Sequence, residues 1–198
     1  MIEVEKKFIL DDQARKRLVD DAEFVGERIF TDAYYDTKDF FLTRKDRWLR
    51  FRDGRLELKL PMHEGPERLA DQYEELEDEE TIRASLGLPD GDISRVLIEA
   101  GYEPFCVCKT TRKKYKKGPF MIDLDEVDFQ DSDYRLGEIE CMVNDTSEVE
   151  DAIKRIIDFA KEKGLTIAPV RGKVIECIKR KRPDQYRVLI EAGVIKNV

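Results

Sequence analysis

Charged and apolar residues alternate along segment after segment of this chain, and that pattern constrains the fold more than any other feature. In residues 2–9, Ile2, Val4 and Phe8 share one face of an extended chain and Glu3, Glu5 and Lys7 the other, because successive strand side chains point to opposite sides. Lys6 interrupts the apolar face and is expected to point outward. In residues 47–60, Leu49 and Phe51 oppose Trp48, Arg50 and Arg52, Asp53-Gly54 supplies a hairpin turn, and Leu56, Leu58 and Leu60 oppose Arg55, Glu57 and Lys59. The alternation returns at 103–116, 119–128 and 135–143, the last two carrying Met121-Ile122-Asp123-Leu124-Asp125 and Glu138-Ile139-Glu140-Cys141. Each such strand offers one face for burial and another that is charged.

The connecting segments read as helices and turns. Asp11 or Asp12 caps a short helix carrying Ala14, Leu18 and Val19, and residues 24–35 are extended, ending in Tyr34-Tyr35-Asp36-Thr37. Pro61, Gly65 and Pro66 mark 61–71 as a loop before an acidic strand, Tyr73-Glu74-Glu75-Leu76-Glu77. Helices are predicted at 79–86, at 92–100 closed by Gly101, at 147–163 ended by Gly164, and after Pro183. Val-Leu-Ile-Glu-Ala-Gly occurs at 96–101 and again at 188–193, too short for a repeat architecture, and is read as two similar helix ends. Seven or eight strands with interspersed helices give an α+β class around a mostly antiparallel sheet, in a single domain spanning 1–198. Alternation alone does not say whether that sheet closes.

Charged residues make up 40% of the chain, against about 25% in typical domains. The net charge of −8 argues against general binding to nucleic acid or anionic membranes, and no segment approaches a membrane span or a leader peptide. A cytoplasmic monomer is expected. Cys106, Cys108, Cys141 and Cys177 lack metal-site spacing and are read as reduced thiols; His63, the only histidine, falls in the 61–71 loop and is read as exposed. The basic run at 179–182 is read as a solvated helix face.

The charged strand faces admit two readings. They form the solvent side of an open sheet packed on helices, or the sheet curls and they point inward. A closed charged interior is costly unless it has a ligand. A triphosphate with Mg²⁺ satisfies both signs, since Arg and Lys hold phosphate oxygens while carboxylates hold a hard cation. Arg50 and Arg52, two residues apart on a strand, lie about 6.5 to 7 Å from each other and reach neighbouring phosphates.

Glu3-x-Glu5-x-Lys7, followed by Arg50-x-Arg52, Leu58-Lys59, Arg112, Asp123, Glu138-x-Glu140 and Lys173, resembles the CYTH, or triphosphate tunnel metalloenzyme, superfamily along nearly the whole chain. Tyr34-Tyr35-Asp36-Thr37, Trp48-Leu49-Arg50, Glu57-Leu58-Lys59 and Arg182-Pro183-Asp184-Gln185-Tyr186 are most similar to its animal-type thiamine triphosphatases. The resemblance implies an eight-stranded antiparallel closed β-barrel with surrounding helices, Mg²⁺ or Mn²⁺ as cofactor, and hydrolysis of the terminal phosphoanhydride bond of a triphosphate. It implies Glu3, Glu5, Asp123, Glu138 and Glu140 as metal ligands, and Lys7, Arg50, Arg52, Lys59, Arg112 and Lys173 as phosphate ligands. Trp48, on the same strand face as Arg50, is read as a stacking surface for a thiazolium ring or a base, and a buried core tryptophan is the competing reading. Tyr35 is read either as a catalytic hydroxyl near the attacking water or as an aromatic filling the tunnel mouth. Asp125, on the same face as Asp123, is read either as a further metal carboxylate or as a rim carboxylate near the barrel end, and Glu75 as a partner for a basic residue. Inorganic tripolyphosphatase, class IV adenylyl cyclase and a non-catalytic triphosphate-binding module are the alternative functions.

Overall fold

The computed structural model describes residues 1–66 and 68–196. Eight strands, β1 (Ile2–Phe8), β2 (Glu23–Asp36), β3 (Trp48–Arg52), β4 (Arg55–Pro61), β5 (Asp71–Leu76), β6 (Glu103–Lys117), β7 (Phe120–Asp128) and β8 (Asp133–Val143), close into an antiparallel barrel in the order β1-β5-β4-β3-β2-β6-β7-β8. Closure settles the two readings of the alternation: the apolar faces point out against helices and the charged faces point in. Closing also removes most sheet edges. Residues 23–30 of β2 remain an exception, with β6 as their only strand partner, because β3 pairs with β2 only from Asp32 to Tyr35.

The described residues hold six α-helices: α1 (Asp12–Val19), α2 (Glu79–Leu86), α3 (Ile93–Glu99) and α4 (Val149–Glu162), and then α5 (Lys173–Lys181) and α6 (Pro183–Glu191), which pack against inward-facing residues. Asp11, Asp78 and Asp92 cap α1, α2 and α3 by accepting from backbone N–H groups of the first turn. The amphipathic α4 lays Ala152, Ile156, Phe159 and Ala160 on Val4, Phe8, Ile122 and Ile139, the outward residues of β1, β7 and β8. Ile82 of α2 and Leu97 of α3 pack on Leu49, Leu56 and Leu58 of the β3–β4 hairpin. Ile175, Ile178 and Leu189 of α5 and α6 pack around Trp48 and Tyr73. None of these helices is long and apolar enough to cross a membrane.

The repeated hexapeptide folds the same way twice. Gly101 (φ 84°) and Gly193 (φ 70°) take the left-handed conformation, donating to Ile98 and Ile190. The next residues, Tyr102 and Val194, donate to Leu97 and Leu189 and pack against those same leucines.

Two expectations are corrected, for the cysteines and His63, and two are extended. The basic run at 179–182, read as a solvated helix face, is exposed and lies at the end of a separate helix, Lys173–Lys181, whose apolar residues at helical spacing face the barrel. Cys106 of β6 and Cys177 of α5 form a disulfide, while Cys108 and Cys141 are buried free thiols. The His63 side chain is only 4% exposed and bridges Gln72 and Asp46. Lys6 lies on the outer face of β1 but is buried beneath the chain leading to α5, donating to the Ala168 carbonyl at 3.0 Å. Burial pulls its ammonium below the ordinary lysine value.

Candidate functional site

The inward faces of the strands enclose a cavity of about 330 Å³. Register builds its acidic wall: β1 and β8 pair Glu5 with Glu140 and Lys7 with Glu138, and β7 and β8 pair Asp123 with Glu138. Glu3, Glu5 and Glu140 form one carboxylate triad, and Asp123, Glu138 and Glu140 a second, each with ligand oxygens within 4.8 Å of one another. Glu140 belongs to both. Burial, then the neighbouring Asp123 and Glu3, holds the Glu140 carboxyl well above its ordinary value; Glu3 and Asp123 are also raised, burial being the first cause. Asp123 is ion-paired with Arg112 and Lys114, yet its buried oxygens have no well-directed hydrogen bond. Crowded, desolvated, all-oxygen donor groups short of positive charge fit a hard divalent cation.

The basic residues stand around this wall, each held by an acid. Arg50 Nε donates to Glu57 at 2.6 Å and one of its terminal nitrogens to the Tyr34 hydroxyl at 3.3 Å. Arg52 donates to Asp32 at 2.8 Å. Arg112 forks onto Asp125 at 2.7 and 2.6 Å and reaches Glu138 at 2.9 Å. Lys7 bridges Glu5 at 2.5 Å and Asp71 at 2.7 Å, and Lys59 bridges Glu3 at 2.5 Å and Glu75 at 2.7 Å. Burial opposes the charge of both lysines, but their carboxylate neighbours prevail and raise them well above the ordinary ammonium value. Lys173, the first residue of α5, pairs with Asp32 at 2.6 Å and donates to Thr110 at 3.3 Å. There burial prevails over Asp32 and Asp125, and the ammonium is lowered. The Phe30 ring lies under Arg52 at 4.3 Å and Lys173 at 4.7 Å, an aromatic base for these cations.

Glu3, Glu5, Lys7, Trp48, Arg50, Arg52, Lys59, Arg112, Glu138, Glu140 and Lys173 all line the cavity, and Asp123 stands behind it in the second triad. Tyr35 does not belong there. It points outward, its ring edge-to-face with Phe51 at 5.5 Å in the cluster under α2 and α3, and Tyr34 takes the inward position beside Arg50. Asp125 is fully buried on Arg112 rather than at the rim. Glu75 partners Lys59, as the sequence suggested. Trp48 is buried and also lines the cavity, so both readings of it hold in part.

Several site residues escaped the sequence reading. Lys114 contacts Asp123 at 3.0 Å and Glu140 at 3.4 Å, and its position two residues after Arg112 on one strand was the available signal. Asp32 and Asp71 are acids whose inward orientation follows only from strand pairing, whereas Glu57 already shared the charged face of its strand with Lys59 and lacked only a role.

A family model described as CYTH domain matches residues 1–167. The chain is 32% identical to the thiamine-triphosphatase of Homo sapiens over 212 residues, covering 98% of this chain and 91% of that protein. It is likewise 32% identical to the thiamine-triphosphatase of Macaca fascicularis over 215 residues, covering 99% and 92%. Among solved structures, the PH1819 protein of Pyrococcus horikoshii has a TM-score of 0.68 at 22% identity, covering 90% of this chain and 99% of that one. A putative adenylyl cyclase from Hippeastrum, described as revealing a dominant triphosphatase activity, has a TM-score of 0.58 at 18% identity, covering 91% and 96%. At those identities the two structures speak to the fold.

Proposed function

The chain belongs to the CYTH domain family, and from that premise we propose that it is a divalent-metal-dependent triphosphatase hydrolysing thiamine triphosphate to thiamine diphosphate and phosphate. The observation that carries the reading is the apposition, in one cavity, of two carboxylate triads sharing Glu140 and a set of buried Arg and Lys side chains. The thiamine-triphosphatase relatives support the choice of substrate, and Trp48 on the cavity wall offers a flat surface for its organic group.

Glu3, Glu5, Asp123, Glu138 and Glu140 would hold Mg²⁺, or Mn²⁺ in its place. When bound, the metal supplies charge neutralisation at the phosphate oxygens and a more acidic water. Lys59 and Lys7 are paired with Glu3 and Glu5, two of the carboxylates that would hold the cation, and would turn to phosphate once those carboxylates are engaged. The forks of Arg50, Arg52 and Arg112 are held in place by Glu57, Asp32 and Asp125, which lowers the reorganisation needed when phosphate arrives. Water attacks the terminal phosphorus, the bond to the bridging oxygen breaks, and the arginine and lysine side chains take up the charge that develops on the leaving diphosphate. Phosphoryl transfer needs mainly such positioning and neutralisation.

Steady-state hydrolysis of thiamine triphosphate, tripolyphosphate and ATP, with Mg²⁺, with Mn²⁺ and with EDTA, tests the reading. A higher kcat/KM for thiamine triphosphate, abolished by EDTA, is the expected result. Equal or better turnover of tripolyphosphate or ATP overturns the substrate; activity unaffected by EDTA overturns the metal.

A further inference from the structure

Asp46 closes the single-turn helix Thr43–Lys45 in left-handed backbone, φ 57° and ψ 28°, a conformation that residues with a Cβ seldom adopt. Its side chain is engaged on both oxygens. Oδ1 accepts from the indole N–H of Trp48 at 2.8 Å and from the Tyr73 hydroxyl at 2.9 Å. Oδ2 lies 2.8 Å from His63 Nε2 and 3.5 Å from Arg68. His63 Nδ1 faces the Gln72 backbone, 2.9 Å from the carbonyl oxygen and 3.1 Å from the N–H, and Nε2 donates to the Asp46 carboxylate, which can only accept. His63 in turn sits edge-to-face on Tyr73 at 5.2 Å.

This cluster contains none of the residues assigned to phosphate or metal, although Arg68 also reaches Asp71, the partner of Lys7, and Asp46 and Trp48 both line the cavity. An indole packed in a cluster with Ile175 and Leu189 can still rotate about its side-chain bonds; a carboxylate on its only polar atom fixes which orientation it keeps. Arg68, at 3.5 Å, balances the charge of that carboxylate, so what Asp46 contributes at the aromatic wall is the orientation of the indole.

We propose that Asp46 is a specificity-determining positioning residue, which locks Trp48 in the orientation that receives the organic group of the substrate. The inference rests on the functional reading above only for the identity of the substrate. The clamp itself concerns residues already in contact.

Asp46→Asn and Asp46→Ala test it, with kcat and KM measured for thiamine triphosphate and for inorganic tripolyphosphate. Trp48 is the only tryptophan, so its emission and acrylamide quenching report the clamp directly, without substrate. Loss of a charged hydrogen bond should raise KM for thiamine triphosphate about tenfold or more in Asp46→Ala, with kcat little changed. Tripolyphosphate, which has no organic group to place on Trp48, should keep both constants, and the emission should shift with increased quenching. Equal losses on the two substrates, or a Trp48 emission and quenching identical to wild type, overturn the proposal. If Asp46→Ala fails to fold by circular dichroism, Asp46→Asn and His63→Gln carry the test with the same pattern at smaller amplitude. A wild-type protein that does not favour thiamine triphosphate defeats the functional reading instead, and the fluorescence comparison then still decides the clamp.

Discussion

Replacing Glu140 by Gln removes one negative charge at the point shared by both carboxylate triads while keeping the shape of the side chain. Oxygens within 4.8 Å of one another place each like-charge pair at about 3.5 kcal/mol of repulsion, using an effective dielectric constant of about 20. Arg112 at 3.9 Å and Lys114 at 3.4 Å offset part of it, but four carboxylates surround Glu140 against two cations. Relaxation and screening reduce the excess to about 1 to 3 kcal/mol in favour of the variant without metal. At this chain length that is an increase in Tm of roughly 2 to 7 °C. Thermal unfolding in EDTA should therefore show Glu140→Gln more stable than wild type. Adding Mg²⁺ should invert the order, because wild type gains RT ln(1 + [L]/Kd) and the variant, short of a shared ligand, gains much less. Hydrolysis should fall together with the metal response. A variant less stable than wild type in EDTA, or one stabilised by Mg²⁺ to the same extent, refutes the argument from charge crowding.

Other expectations follow from single contacts. A Cβ added at Gly172 would lie 3.0 Å from Lys7 Cε, so Gly172→Ala should press on the lysine that bridges Glu5 and Asp71; KM for the triphosphate should rise several-fold with Tm nearly unchanged, and an unaltered KM would show that the lysine stem yields freely. The Cys106–Cys177 disulfide spans 71 residues, and the chain-entropy account gives it about 4 kcal/mol; Cys177→Ala or reduction should lower Tm markedly, and no change in thermal unfolding would refute that. Burial acts to raise Asp71, but Lys7 and Arg68 prevail and hold it well below the usual carboxylate range. A depressed folded value means stability that is full above the unfolded pKa of about 3.9 and lost as pH falls below it toward the folded value. Asp71→Asn should flatten the acid limb of an unfolding-versus-pH curve, and an unchanged slope would count against the pairing.

The alternation was legible because it rests on a local rule: Glu3, Glu5 and Lys7 share a face whatever the rest of the chain does. What local rules miss is where a strand lies and which way a mixed strand faces. β2 carries Tyr34 and Tyr35 side by side without a clean alternation, and its pairing with β6 shifts register between those two residues, so no count along the sequence could choose the inward tyrosine. Asp125 is two residues from Asp123 and shares its face, but its burial depends on Arg112 of the neighbouring strand. His63 lies in a loop and looked exposed because its partners, Gln72 and Asp46, come from elsewhere. The Cys106–Cys177 pair likewise depends on α5 docking against β6. By contrast α5 itself could have been found, since Val174, Ile175 and Ile178 recur at helical spacing beneath its basic residues.

The half of β2 that pairs only with β6 has a consequence outside the cavity. Its free edge displays backbone groups beside Phe24, Val25 and Ile29, which are 55%, 52% and 56% exposed, the ingredients of a template for a further strand. Two features blunt it: the register breaks between Phe24 and Gly26, and exposed Glu23 and Glu27 punctuate the apolar residues. A neighbouring molecule adding its own edge would have to match that irregular spacing and set like charges together. The ribbon that supplies Phe30, Asp32 and Tyr34 to the tunnel can thus reach past the barrel rim without inviting aggregation.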